Sequence, residues 1–390
     1  FYIRQENAPK VTFILLNIFY FLYFLVIRDS DYLQVFQLIS PDFASQSNLY
    51  TVLSNYGFNV DILVSLVFTL LQATLLLNIL WIYRKGIESN TNYKMAYQSY
   101  LIGIAGDSGS GKSIFSNLLT DAFGVKNILL LEGDDMHKWE RGDENWSSYT
   151  HLDPRANKLH NDIQSAIRLK QGEGVFRRCY DHDTGKFTLP KKVQSKKVIV
   201  FQGLHSLYLE RMRRLYDLKI FLKPNRDLQL HWKVRRDANE RGYNRERIEE
   251  IIKERQADTE KYIEKQEDFA DIVVSFINKK SINDLGCSQE DVDLFLKIKF
   301  DNNIDVDPLL DELDNYKLLY KHYHEGDDQQ VEFYGKIDKE KIDIIAYNLM
   351  PDLWDILNIE PDWSSDLNGL LQLFITYHVF YKMKISEYGR

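Results

Sequence analysis

The sequence predicts an α/β protein: a parallel sheet flanked by helices, preceded by two apolar segments of membrane-spanning length and followed by a smaller α+β region. Three observations lead there. From residue 101 onward, short apolar runs alternate with amphipathic stretches, the pattern of strands joined by crossover helices. A glycine-rich turn separates the first such run from the first such helix. Ahead of residue 84 stand two long runs without a charge.

Those runs are 11–27 (VTFILLNIFYFLYFLVI) and 62–83 (ILVSLVFTLLQATLLLNILWIY). At about 1.5 Å per residue the second can cross a hydrocarbon core of about 30 Å, and the first is at the short end of that range. Arg4 and Lys10 precede the first run, Arg84 and Lys85 follow the second, and Arg28 is the only base in the loop between. The positive-inside rule then puts both ends in the cytoplasm. The expectation is a multi-pass anchor over 1–83 in contact with a lipid bilayer, with the domain beyond it facing the cytoplasm. The chain opens on Phe1 rather than Met, as a piece of a longer protein does.

Composition excludes some classes. The 390 residues are 44% hydrophobic and 27% charged, enough apolar material for a packed core. A formal net charge of −8 argues against a nucleic-acid partner. Cys179 and Cys287 are the only cysteines and lack metal-ligand spacing, so neither a disulfide framework nor a zinc site is expected. A homo-oligomer is left open.

The polar stretch 84–100 reads as a linker to the domain at 101–276. Strands are expected over 101–105 (LIGIA), 127–132 (NILLLE), 198–202 (VIVFQ), 217–222 (DLKIFL) and 271–276 (DIVVSF). A helix over 112–123 shows Ile114, Phe115, Leu118, Leu119 and Phe123 on one face. Charged helices follow over 226–241 and 245–265. The remainder, 277–390, offers strands near 292–300 and 330–335 and helices near 339–357 and 367–383. The last of these reads as a packed core helix.

The turn GDSGSGKS (106–113) fits G-x-x-x-x-G-K-S/T between a strand and a helix, the context that motif requires. Glycines there let backbone N–H groups close around phosphate at a helix N-terminus. Gly106, Asp107, Ser108, Gly109, Ser110, Gly111, Lys112 and Ser113 are thus the expected ATP-binding residues. Lys112 supplies charge for the β- and γ-phosphates, and Ser113 offers its hydroxyl to Mg²⁺.

Further motifs resemble the phosphoribulokinase/uridine kinase family of P-loop kinases, and its phosphoribulokinase branch more closely. GDDMHKWER (133–141) is similar to that branch's G-D-S-F-H-R-Y-x-R, THLDPRAN (150–157) to H-F-G-P-E-A-N, and RRCYDH (177–182) to R-x-Y-x-H. FQGLHSLY (201–208) resembles the strand-end E-G-L-H, and RRDANERG (235–242) with 258–273 resembles the lid and closing strand. The likeness runs over 101–276 and covers neither the apolar runs nor the C-terminal region.

The resemblance implies ATP-dependent phosphorylation of a small hydroxyl-bearing acceptor. Asp134 would be the base, a role that suits a carboxylate at a strand's C-terminal end. Asp135 would assist with Mg²⁺, although an acidic pair there also suits a turn or helix N-cap. His137 and Arg141 would bind the acceptor, with Tyr180 and His182 on the same side. Because His137 and Arg141 suit an anion, a pentose phosphate or related sugar phosphate is expected, with a nucleoside as the alternative. Arg236 and Arg241 would close over the phosphates, although their spacing alone reads as a solvated helix face. Gln202 departs from the family, which carries a carboxylate there. Either Glu132, Asp134 or Asp135 supplies the missing charge, or the chain is a weak or inactive nucleotide-binding sensor at a membrane.

Overall fold

The structure is a computed structural model describing residues 76–77, 99–241, 245–278 and 294–388. The chain divides into two compact units, Phe1–Met95 and Ala96–Arg390, and the second holds the sheet.

In chain order its elements begin with β1 (Tyr100–Gly106), α1 (Lys112–Phe123), β2 (Ile128–Glu132) and α2 (His160–Lys170). Four short strands follow as two antiparallel pairs: β3 (Val175–Arg177) with β6 (Lys191–Val193), enclosing β4 (Tyr180–Asp181) with β5 (Lys186–Phe187). Then come β7 (Val198–Gly203), α3 (Glu210–Arg213), β8 (Leu218–Leu222), α4 (Arg226–Arg241), α5 (Arg245–Asp258) and β9 (Ile272–Asn278). The C-terminal part contributes β10 (Leu294–Asp301), α6 (Asp307–Asn315), β11 (Leu319–Glu325) and β12 (Asp328–Tyr334). It closes with α7 (Lys339–Leu349), α8 (Leu353–Leu357) and α9 (Asp366–Tyr388).

One eight-stranded sheet runs β11-β12-β10-β9-β8-β1-β7-β2. The five strands from β9 to β2 are parallel, as the alternating apolar pattern requires. β10, β12 and β11 then add on antiparallel, so the C-terminal region extends the same sheet.

Alternation along the strands divides the core in two. Ile102, Ile104, Val198, Val200 and Ile128 face α1 and the C-terminal helices. Leu101, Ala105, Ile199, Phe201 and Leu131 face α2 and α3 on the other side. The buried face of α1 differs from the expected one by a turn's edge. Ile114 is exposed, whereas Ser116 and Ala122 are buried with Phe115, Leu118, Leu119 and Phe123. The helix expected to reach 265 loosens into a π turn at Thr259–Ile263 and a 3-10 stretch at Glu264–Phe269.

The apolar runs 11–27 and 62–83 lie outside the described residues apart from Leu76 and Leu77. Among the described residues, no helix is long and apolar enough to cross a membrane. The longest, α9, turns its apolar side chains into the protein core and buries Gln372, Thr376 and His378 among them. The expected multi-pass membrane location, with the domain facing the cytoplasm, therefore stands corrected: the longest described helix, α9, packs its apolar side chains on protein.

Two buried histidines give the fold a pH dependence. Burial pushes His205 and His378 down from 6.5 to about 4. His205 is held neutral with its Nε2–H donated to the Leu152 carbonyl at 2.7 Å. Below pH 6.5 the unfolded chain takes up protons that the folded chain refuses until about pH 4. Stability is therefore complete above 6.5 and falls through that window, by about 1.4 kcal/mol per pH unit for each histidine. Urea unfolding at pH 7, 5.5 and 4.5 measures the slope, and His378→Leu should remove its share.

Candidate active site

The ends of β1, β2 and β7 open on one edge of the sheet, and loops from each converge there, where α/β proteins bind ligands. After β1 the chain wraps through 106–111, with Gly109 at φ 80° and Gly111 at φ 90°, conformations that a side chain would strain. The wrap closes with Phe115 N–H donating to the Gly111 carbonyl at 2.9 Å. Lys112 Nζ donates to the carbonyls of Gly106 and Asp107, both at 2.8 Å. These acceptors are neutral, so the ammonium charge remains available to an anion. Burial pulls Lys112 down to about 8, against the opposing pull of Asp107 and Asp134, and Arg236 and Lys233 add to the depression. Three cations crowding one loop repel each other, and a bound polyphosphate would relieve that repulsion.

Helix α4 supplies two of those cations. Arg236 Nη2 donates to Ser108 Oγ at 3.3 Å. Gln229 Nε2 donates to the Asp107 carboxylate at 2.9 Å and the Ser108 carbonyl at 3.0 Å. Lys233 is buried so close to Gly109 that a Cβ there would stand 3.1 Å from its own. Sequence reasoning missed Gln229 and Lys233, whose signal was only their helical spacing from Arg236. Arg241 ends α4, and its side chain lies outside the described residues.

After β2 a 3-10 turn, Gly133–Met136, presents the acidic pair in opposite directions. The ends of β2 and β7 approach so closely that a Cβ on Gly133 would lie 3.0 Å from Gly203 Cα. Asp134 faces two imidazoles, with His182 Nε2 at 3.4 Å and His137 Nε2 at 3.6 Å. Burial alone would push its carboxyl up. His137, His182, Lys112 and His151 outweigh that and hold it below the usual aspartate range. It is an ionised carboxylate held in a positive field.

Asp135 is turned the other way and buried. Its oxygens accept from Arg177 Nε at 3.0 Å and from the Tyr180 backbone N–H at 2.8 Å. The expected metal role for Asp135 does not match this arrangement, because a buried guanidinium already occupies the carboxylate. Arg177 also donates to Asp162 at 2.5 Å and to the Glu132 carbonyl at 2.8 Å.

His137 is buried and bound to Asn157 Oδ1 through Nδ1 at 2.7 Å. Asn157 donates its amide hydrogens to the carbonyls of His151 and Asp153, which fixes Oδ1 toward the ring. Nδ1 must then carry the proton, and Nε2 points at Asp134. Asn157→Ala should cost about 1–3 kcal/mol by leaving that buried N–H without an acceptor, as urea unfolding would register.

Arg141 is exposed and donates to the carbonyls of His182, at 2.5 Å, and Asp183, at 3.3 Å, in the β4–β5 turn. Among the described residues it makes no salt bridge to a carboxylate, which leaves it able to pair with an anion. The Tyr180 ring meets those of His137 and His182 edge-on, at 5.4 and 5.2 Å. The structure thus brings Asp134, His137, Tyr180 and His182 together, with Arg141 beside them.

At the end of β7, Gln202 is buried, and its Oε1 accepts the Ser116 hydroxyl at 2.6 Å. Glu132 lies opposite Gln202 in the β2–β7 register. Partial burial first, and then Asp134 and Asp135, raise the Glu132 carboxyl. For Mg²⁺ the donors to hand are the exposed Ser113 hydroxyl and carboxylate oxygens, the hard oxygen set that this ion prefers. Among the described residues no group of three or more His, Cys, Asp or Glu side chains could hold a metal alone.

The "Phosphoribulokinase / Uridine kinase family" matches residues 101–283. The chain is 40% identical to a phosphoribulokinase of Synechocystis over 184 residues, which cover 47% of this chain and 55% of that one. It is 30% identical to a uridine kinase of Geobacillus over 190 residues, covering 46% of this chain and 87% of the relative. In fold it is similar to the phosphoribulokinase of Rhodobacter spheroides, with a TM-score of 0.50 and 19% identity, over 67% of this chain and 98% of that one. The chain spans about half the length of the curated phosphoribulokinases it matches. One of these, from Spinacia oleracea, is named as chloroplastic.

Proposed function

The chain belongs to the phosphoribulokinase/uridine kinase family, and from that premise we propose that it transfers the γ-phosphoryl group of ATP to a hydroxyl of a pentose phosphate or related sugar phosphate. The observation that carries the reading is Asp134: a carboxylate kept ionised between the Lys112 loop on one side and two histidines on the other.

Residues 106–113 cradle the triphosphate, with Lys112, Lys233 and Arg236 countering its charge. The Ser113 hydroxyl and a nearby carboxylate would hold Mg²⁺, which would supply positive charge to offset that of the phosphates. Asp134 accepts the proton of the attacking hydroxyl, and His137 and His182 orient that hydroxyl against it. Arg141, next to them, pairs with the acceptor's own phosphate. The anionic acceptor is favoured over a nucleoside because this pocket is lined with imidazole and guanidinium groups.

ADP release across ribulose 5-phosphate, other pentose phosphates, uridine, cytidine and pantothenate tests the reading. Turnover confined to the sugar phosphates is the expected result. Turnover confined to uridine and cytidine favours the nucleoside alternative. A second reading, a nucleotide-binding sensor, draws on the neutral Gln202 at a position where the family bears a charge. Tight ATP binding with no turnover on any acceptor would establish it.

A further inference from the structure

We propose that Glu132 is the metal-binding carboxylate of this site, standing in for Gln202 from the neighbouring strand. The inference rests on the kinase reading above, because it presumes a metal–nucleotide complex at the phosphate loop.

Gln202 and Glu132 are direct neighbours across the parallel β7–β2 pair. Side chains opposite each other in a ladder share a face. Along β7 that face carries Val198 and Val200, and along β2 Ile128 and Leu130, all packed in the core beneath α1. Gln202 is confirmed on the α1 side by its bond to Ser116. Glu132 therefore projects from the same side of the sheet, at the same end, one strand over. Ser113, the expected hydroxyl ligand, lies one helical turn before Ser116 on the same stripe of α1. That turn is the one nearest the strand ends.

The other acidic groups of the neighbourhood are engaged. Asp107 accepts from its neighbour's N–H and from Gln229. Asp135 and Asp162 share the Arg177 guanidinium. Asp134 stands between His137 and His182. Gln202 contributes an uncharged oxygen already holding a hydroxyl proton. Among the described residues Glu132 alone of these has no hydrogen bond or salt bridge to its carboxylate; it is only partly covered and feels His182 and Arg177 at longer range. A divalent cation needs negative charge from the protein beyond what the phosphates give, and an amide brings none. One strand's displacement, about 4.8 Å, can be bridged because Mg²⁺ keeps several of its waters, through which a carboxylate can act on it.

Mn²⁺ serves as the paramagnetic probe, and its binding to the protein–ADP complex is read by the loss of the free-ion EPR signal, without any acceptor. ADP affinity in the absence of metal controls for folding. Glu132→Gln should weaken Mn²⁺ binding about tenfold or more, and adding Gln202→Glu to that variant should restore it. Mn²⁺ affinity within about twofold of wild type in Glu132→Gln would overturn the proposal, as would a loss that Gln202→Glu does not repair. Since no phosphoryl transfer is measured, failure of the kinase reading on every acceptor leaves this result interpretable in its own right.

Discussion

Asp134→Asn should lower kcat for acceptor-dependent ADP release by about 10²–10⁴-fold while leaving ATP affinity close to wild type. The amide matches the carboxylate in size and can still meet the acceptor hydroxyl, but it cannot take a proton. The proposed nucleotide contacts are other groups, Lys112, Lys233 and Arg236. A loss of ATP binding in this variant would instead mean that Asp134 holds the phosphate loop together. The pH profile adds an independent check. His137 and His182 keep Asp134 ionised to below the usual aspartate range. Activity should therefore fail on the acid side as His205 and His378 begin to unfold the protein, before Asp134 itself is protonated.

The second large effect is on stability. Arg177 is buried, with Asp135 on Nε and Asp162 on Nη1. Burial works against its charge, and the two carboxylates outweigh that and keep it protonated. Arg177→Met fills the volume but strands both carboxylates away from water, at a cost of about 3–5 kcal/mol. The sign of its pH dependence is the reverse of the histidine effect. Burial already raises the Asp162 carboxyl against the pull of Arg177, and losing the guanidinium would raise it further. The variant's deficit should then be smallest at low pH and grow as pH rises through that raised value. Urea midpoints for wild type and variant at pH 5 and pH 8 test this. A deficit under about 1 kcal/mol at both would show that the pair contributes little.

Much of the catalytic edge was legible because its chemistry is local in sequence. The phosphate loop needs glycines, a lysine and a hydroxyl within eight consecutive residues, between a strand and a helix, and all of this reads off 106–113. The turn bearing Asp134 and His137 was likewise compact. Partnerships across long separations were not legible. Nothing near Asp135 announces that Arg177, from β3, will claim its carboxylate. The tie between His137 and Asn157 joins two motifs that read as independent. Periodicity over-assigned Ile114 to the buried face: it is exposed, and Ser116, whose hydroxyl satisfies Gln202, is buried.

The C-terminal region shows where apolar patterning gives out. β10 alternates clearly, whereas β12 opens on two buried glutamines and β11 (LYKHYHE) is a largely polar edge strand. Nor could the sequence say that these strands would pair with β9 and lengthen the kinase sheet, because register between distant strands leaves no local trace.

The most direct test of the account is a crystal structure with a non-hydrolysable ATP analogue and an unreactive acceptor. The Asp134 carboxylate should face the terminal phosphate with room between them for the acceptor's hydroxyl alone. A carboxylate turned away from the phosphate pocket, or separated from it by protein, would contradict the proposed transfer.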